Sequence, residues 1–167
     1  SDPFLNNSDL YAFQSQIGGG STGVAAFATV GGVLTRSFAS LPSGFTSLAN
    51  PKLTALTDTG ALVRRGNLND ANGAEAILIG GPPPATSDLV VRAGSQVPGE
   101  PVGVTFTDLL DVAAQDHTVA FFATLSSGST GLYKATSSSA QAIAKLGSVV
   151  DGVPSRTIQG FVPSKGF

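Results

Sequence analysis

The residues best suited to chemistry in this sequence are few and widely spaced. Ser21 lies in "GGSTG" (19–23), which satisfies G-x-S-x-G, the pattern in which a hydrolase presents a nucleophilic serine on a sharp strand-to-helix turn. A near-copy, "SGSTG" (127–131), puts Ser129 at the same place. A serine nucleophile needs a base, and His117 is the only histidine in the chain. A zinc site needs several His or Cys ligands, and the chain has no Cys. Asp108, Asp111 and Asp116 offer carboxylates, but not at the spacing of a calcium loop. Asn69, Asp70 and Asn72 in "NLNDANG" offer oxygen donors without the closing bidentate Glu. Capping of turns by Asx side chains accounts for both groups. No catalytic, metal or cofactor set emerges, and the sequence reads as a non-enzyme.

Composition narrows the function classes. Charged residues make up 12% of 167 residues and the formal net charge is −2. The Lys and Arg are scattered, with Arg64-Arg65 the only adjacent pair, so the basic stripe of a nucleic-acid partner is lacking. No apolar run approaches the 18 or so residues of a membrane-spanning helix. The chain has no Cys, Trp or Met, and is rich in Gly, Ser and Thr, which suits a bacterial extracellular or cell-surface protein. Absence of Cys is equally compatible with the cytosol. Lacking even an initiator Met, the chain reads as a processed form or a piece, from which any export signal is already gone.

The elements that would position these residues come in repeats. Phe13 and Phe121, Ser21 and Ser129, and Gly23 and Gly131 are all separated by one and the same interval, which aligns "DLYAFQSQIGGGSTGV" with "HTVAFFATLSSGSTGL". A diverged middle copy, "GALVRRGNLNDANGAE", starts at Gly60 and carries Arg64 where the others have Phe. The turns "ASLPSG", "AGSQVPG" and "LGSVVDG" recur in the same order, each followed by a Phe-containing segment. The units run about 1–43, 44–101 and 102–155 within a single repeat domain, 1–167, with a C-terminal strand, 156–167, completing a unit. Each unit holds about four short stretches rich in aromatic and β-branched residues, cut by Gly, Pro, Asn or Ser. "SSSAQAIAKLGSVV" has a Ser that suits a helix cap, but its register with "DLVVRAG" favours a strand. The expected fold is all-β: three β-propeller-blade-like repeats of about four antiparallel strands each, with a stacked β-solenoid as the rival. Leu5, Tyr11, Leu62, Ile77, Phe121 and Ile143 are among the expected core residues.

The repeat changes the meaning of the motifs. A nucleophile elbow requires a helix after the serine, whereas here a strand is expected, and the middle copy has "NDANG", a hairpin signal. "GSTG" therefore reads as a hairpin tip, with Ser21 and Ser129 as turn residues. His117 aligns with Asp9 and Gly60, which suggests a turn residue with positive φ. "GGPPPATSD" (80–88) is an insertion expected to be a stiff inter-strand loop. "NNS" (6–8) is a glycosylation sequon of little weight in a bacterial protein.

The pattern "DPFLNNSDLYAFQSQI…GGSTGV…VLTRSFA", with "TVAFFATLSSGSTGLY", resembles the repeat of bacterial secreted surface proteins of the choice-of-anchor type. The resemblance covers nearly the whole chain and rests on turn and core residues. It implies a β-propeller-like architecture and an exported protein without catalysis. Arg64 in the middle copy, and Asp9 and His117 at the turn glycine, depart from the pattern.

The expected function is structural: an extracellular surface component that self-assembles by exchange of its terminal strand into a homo-oligomeric ring or a filament. Its assembly residues would be Ile158, Phe161 and Val162 on the C-terminal strand and Leu10 and Phe13 on the strand that receives it. A glycan- or ligand-binding module is the alternative, weakened by having only Tyr11 and Tyr133 for sugar stacking and no Trp.

Overall fold

The structure, a computed structural model, describes residues 4–8, 10–13, 26–30, 33–37, 40–69, 73–81, 86–150 and 153–161. Period-two alternation of apolar and polar residues, interrupted by turn formers, yields strands and no helix among them. In chain order the strands are β1 Phe4–Leu5, β2 Tyr11–Ala12, β3 Ala26–Val30, β4 Val33–Ser37, β5 Leu48–Leu56, β6 Leu62–Leu68 and β7 Glu75–Gly80. There follow β8 Asp88–Arg92, β9 Phe106–Gln115, β10 Thr118–Leu125, β11 Thr130–Ala135, β12 Ala140–Lys145, β13 Val149–Val150 and β14 Val153–Thr157. They form two four-stranded antiparallel meanders, β5-β6-β7-β8 and β9-β10-β11-β12, and the two-stranded pairs β1-β2, β3-β4 and β13-β14. The segment 137–150 supplies a strand, β12, as its register suggested. Among the described residues the sheets close into neither a barrel nor a ring.

The main core lies between the two meanders. From β10, Val119, Phe121, Ala123 and Leu125 point to one side, opposite Ala135, Tyr133 and Gly131 of β11. They meet Val63, Ile77 and Ile79 of the other sheet. At the centre sit three rings: Phe106 edge-on to Tyr133 at 5.1 Å, and Phe121 5.8 Å from each. Such pairs add about 0.5–1.5 kcal/mol each beyond the area they bury. Gly131 makes room for this cluster, since a Cβ there would lie 2.9 Å from Cε2 of Tyr133. The last glycine of "SGSTG" thus serves packing.

The sheet β5–β8 is covered on both faces. Its other side carries Leu53 and Leu62, which pack with Phe4 and Ala12, and Leu68, Ala76 and Leu78, which pack with Leu41 and Phe45. This explains the unbroken apolar run at Ala76–Ile79, all four residues of which are buried. Polar groups also cross the main core. Arg65 pairs with Glu75 at 3.3 Å; Glu75 accepts the Leu109 N–H at 2.9 Å, and Arg65 donates to the Leu109 carbonyl. One ion pair on β6–β7 therefore satisfies both main-chain groups of a residue on the next sheet.

The hairpin tips recur in detail. The Asn6 N–H donates to the Leu10 carbonyl, and the Leu10 N–H to Asn6 Oδ1; Thr57 and Ala61 repeat both bonds, through Thr57 Oγ1. The two tips then lock together, with Asn6 Nδ2 donating to the Thr57 carbonyl at 2.7 Å and Asn7 to the Asp58 carboxylate at 3.1 Å.

Some expectations need correction. Leu5, Tyr11 and Ile143 are exposed, because each lies on a sheet face that no other sheet covers among the described residues. The positive φ of the β9–β10 turn belongs to Asp116 (51°), while His117 has none. Gln115 pairs directly with Thr118, so this tip is two residues long and shorter than the Thr57–Ala61 tip, where Gly60 holds the positive φ (82°).

Candidate functional site

The chemically suggestive residues are set apart by the fold. Ser129 sits in the β10–β11 tip, where its carbonyl accepts the Leu125 N–H at 2.9 Å and Gly128 takes a φ of 83°. A strand follows it, as the turn reading requires. The Asn69–Ala74 connection of the middle copy joins β6 to β7 in the same place. His117 lies at the opposite end of β10, roughly 25 Å away for an eight-residue strand. Ser129 and His117 therefore cannot share a proton. Ser21 and the first "GSTG" fall outside the described residues.

Asn69 is occupied in its turn. It has a φ of 72°, its Oδ1 accepts the Thr46 N–H at 3.2 Å, and its carbonyl accepts the Ser47 hydroxyl. Asp70 and Asn72 lie outside the described residues, as does the proline run of "GGPPPATSD". Among the described residues no three acidic, His or Cys side chains gather as a metal would need. Arg64, expected where the middle unit differs, is half-buried and donates to Ser87 Oγ. Burial lowers its pKa, and desolvation is the cause. Of the two tyrosines, Tyr133 is fully buried and Tyr11 is exposed. The buried Tyr133 hydroxyl has no hydrogen-bond partner among the described residues.

The features that stand out are the ends of the array. After β8 the chain turns at Gly94: the Gly94 N–H donates to the Phe106 carbonyl, the Phe106 N–H to the Ser95 carbonyl, and Gln96 bridges Thr105. After β12 the same pattern returns. The Gly147 N–H donates to the Ile158 carbonyl at 2.9 Å, the Ile158 N–H to the Ser148 carbonyl at 3.0 Å, and Val149 pairs with Thr157. Gly94 and Gly147 even share their positive φ (86° and 82°). Three residues beyond Phe106, Leu109 is held over Arg65 of the preceding sheet. Three residues beyond Ile158, Phe161 packs on Phe122 of the preceding sheet, with ring centroids 5.0 Å apart. Phe122 occupies in β10 the place of Arg65 in β6, so an aromatic pair replaces the polar clamp.

The five residues expected to mediate assembly are thus distributed as follows. Ile158 is half-buried with both main-chain groups paired to the Gly147–Ser148 turn, and Phe161 is half-buried on Phe122. Val162 lies outside the described residues. Leu10 is half-buried over Gly60, and its N–H and carbonyl are both bonded to Asn6, so it belongs to the hairpin tip rather than to a strand. Phe13 is half-buried beyond β2. The ribbon β13–β14 begins at Val149, earlier than the expected C-terminal strand. Sequence reasoning did not single out Phe122; its signal was a second aromatic directly after Phe121 in a strand whose other face is already apolar.

No family model, no curated protein and no solved structure matches this chain.

Proposed function

We propose that this chain is a non-catalytic structural protein of the bacterial cell surface or extracellular matrix. In this reading it consists of three blade-like units that assemble by completing one another between copies. The observation that carries the reading is that the chain leaves β12 as it leaves β8. The exit from β8 leads into the first strand of a complete sheet, β9. Ile158–Phe161 follow the exit from β12 as Phe106–Leu109 follow the exit from β8, with Phe161 resting on Phe122 of the sheet before it, and in this reading they are the start of the next such strand. Its natural partner, by the order β9-β10, is the strand that follows the first hairpin tip, β2 onward. Supplied by a second copy, that pairing is strand addition between chains, which yields a ring if the rotation closes and a filament if it does not. Low charge and the surface-protein resemblance support the extracellular setting.

The test is removal of residues 157–167 followed by measurement of particle mass. The 167-residue chain is expected to assemble, and the truncated chain to stay soluble and monomeric with its thermal transition retained. A 167-residue chain that is monomeric at high concentration overturns the reading.

A further inference from the structure

The two ends of the array present faces whose equivalents within the chain are bound to each other. Alternation sets Leu5 and Tyr11 on the side of β1–β2 away from Phe4 and Ala12, which pack on the middle unit. In register, Tyr11 corresponds to Leu62 and to Val119. Leu62 is covered by the unit before it and is 5% exposed, and Val119 is covered by the sheet β5–β8 and is 0% exposed. Tyr11 and Leu5 are instead 45% and 60% exposed.

At the other end, the side of β9–β12 turned away from the core carries Ala120, Phe122, Leu132, Lys134 and Ile143. Their counterparts on β6 and β7 include Val63, Ile77 and Ile79, all buried under β9–β12. Ile143 is instead 51% exposed, at a groove of about 650 Å3 with Ala113, Thr118, Ala120 and Lys134. Residues 147–150 and 153–161 continue the inter-sheet interface onto this face through Phe161 on Phe122.

Building on the assembly proposed above, we infer that the outward face of β9–β12 is a docking surface for a second copy of this chain, which lays on it the Leu5–Tyr11 face of its first hairpin. The contact is heterologous, tail to head, and reproduces between chains the packing of β5–β8 against β9–β12. It goes beyond strand pairing because it assigns sheet-face side chains to the interface, and it commits each end to the other rather than to itself.

The test uses one blocked end at a time in the 167-residue chain. Tyr11→Asp blocks the head and Ile143→Asp the tail; Leu5→Asp and Ala120→Arg are second variants of each. The affected side chains are exposed or half-buried, so thermal transitions close to that of the unaltered chain are expected. Each variant alone is expected to lose assembly by about thirtyfold in apparent affinity, as for an interface hot spot. An equimolar mixture of Tyr11→Asp and Ile143→Asp is expected to form a two-chain particle and nothing larger, because one intact head then meets one intact tail. If Tyr11→Asp alone still pairs, the tail binds itself and the inference is wrong. If both variants assemble as the unaltered chain does while removal of 157–167 abolishes assembly, strand completion stands and the docking face is wrong. If the unaltered chain is monomeric, both readings fall.

Discussion

The sheets β5–β8 and β9–β12 share strand order, hairpin placement and exit geometry, yet among the described residues a sheet or hairpin covers both faces of the first and only one face of the second. In β7 the run Ala76–Ile79 is buried residue after residue, whereas β11 alternates buried Tyr133 with exposed Lys134. At equivalent places Val63 becomes Ala120, Arg65 becomes Phe122, Ile77 becomes Leu132 and Ile79 becomes Lys134. Two of these changes, Val63 to Ala120 and Ile79 to Lys134, make the face of β9–β12 smaller or more polar, and the other two keep it apolar. In a repeated array, then, a strand position is core or surface according to what stacks on it. The side chain's own hydrophobicity is secondary: Ile143 is half-exposed while the clamp of Arg65 and Glu75 lies at the main inter-sheet interface.

The largest effect should come from the shared core. Phe121→Ala is expected to cost about 3–5 kcal/mol, read as a lower urea midpoint. A loss under about 1 kcal/mol would mean that the aromatic cluster is not the joint between the sheets. The contrast itself is sharpest at Ile77 and Leu132. Ile77→Ala should cost about 2–5 kcal/mol, and Leu132→Ala less than half of that in the monomer. Equal losses in the two variants would show that the outward face is covered after all. The polar clamp ranks next. Glu75→Ala leaves the Leu109 N–H and the Arg65 guanidinium short of a partner and should cost about 1–3 kcal/mol, with faster amide exchange at Leu109.

A smaller effect is expected at Tyr133. Burial first, and the negative charge of Glu100 second, hold its phenol above the usual range. A raised folded pKa means that the stabilisation is complete below the ordinary value of about 10 and is lost as pH rises through the folded value. Tyr133→Phe should therefore remove the alkaline loss of melting temperature. At neutral pH it should change stability by no more than about 1 kcal/mol, because the hydroxyl has no partner among the described residues. An equally steep alkaline decline in the Phe variant would place the titration elsewhere. The smallest effect belongs to Ser129→Ala, within about 0.5 kcal/mol of the unaltered chain, as befits an exposed turn residue that contributes its carbonyl.

Much of the local structure was legible in the residues. The tip at Ser129, the strand rather than helix at 140–145 and the buried Val119–Phe121 face all follow from turn chemistry and period-two alternation. The position of the left-handed residue was not, because the β9–β10 tip is shorter than its equivalent and the alignment placed His117 where Asp116 belongs. Arg65 and Glu75 went unnoticed because charges on alternating strand positions read as facing solvent; only the approach of Leu109 from another sheet gives them a role. Of the candidate assembly residues, Ile158 is bonded to the Gly147–Ser148 turn as Phe106 is to the Gly94–Ser95 turn, whereas Leu10 proved to be part of a hairpin tip sealed by Asn6.

The sequence by itself determined where strands run and where they turn, since alternation, Gly with positive φ and Asx capping act over a few residues. Only the tertiary structure decided which apolar faces are core. Burial is area removed from water by whatever lies opposite, so Tyr11 and Val119, in register and alike in pattern, end on the surface and in the interior because, among the described residues, only Val119 has a sheet in front of it.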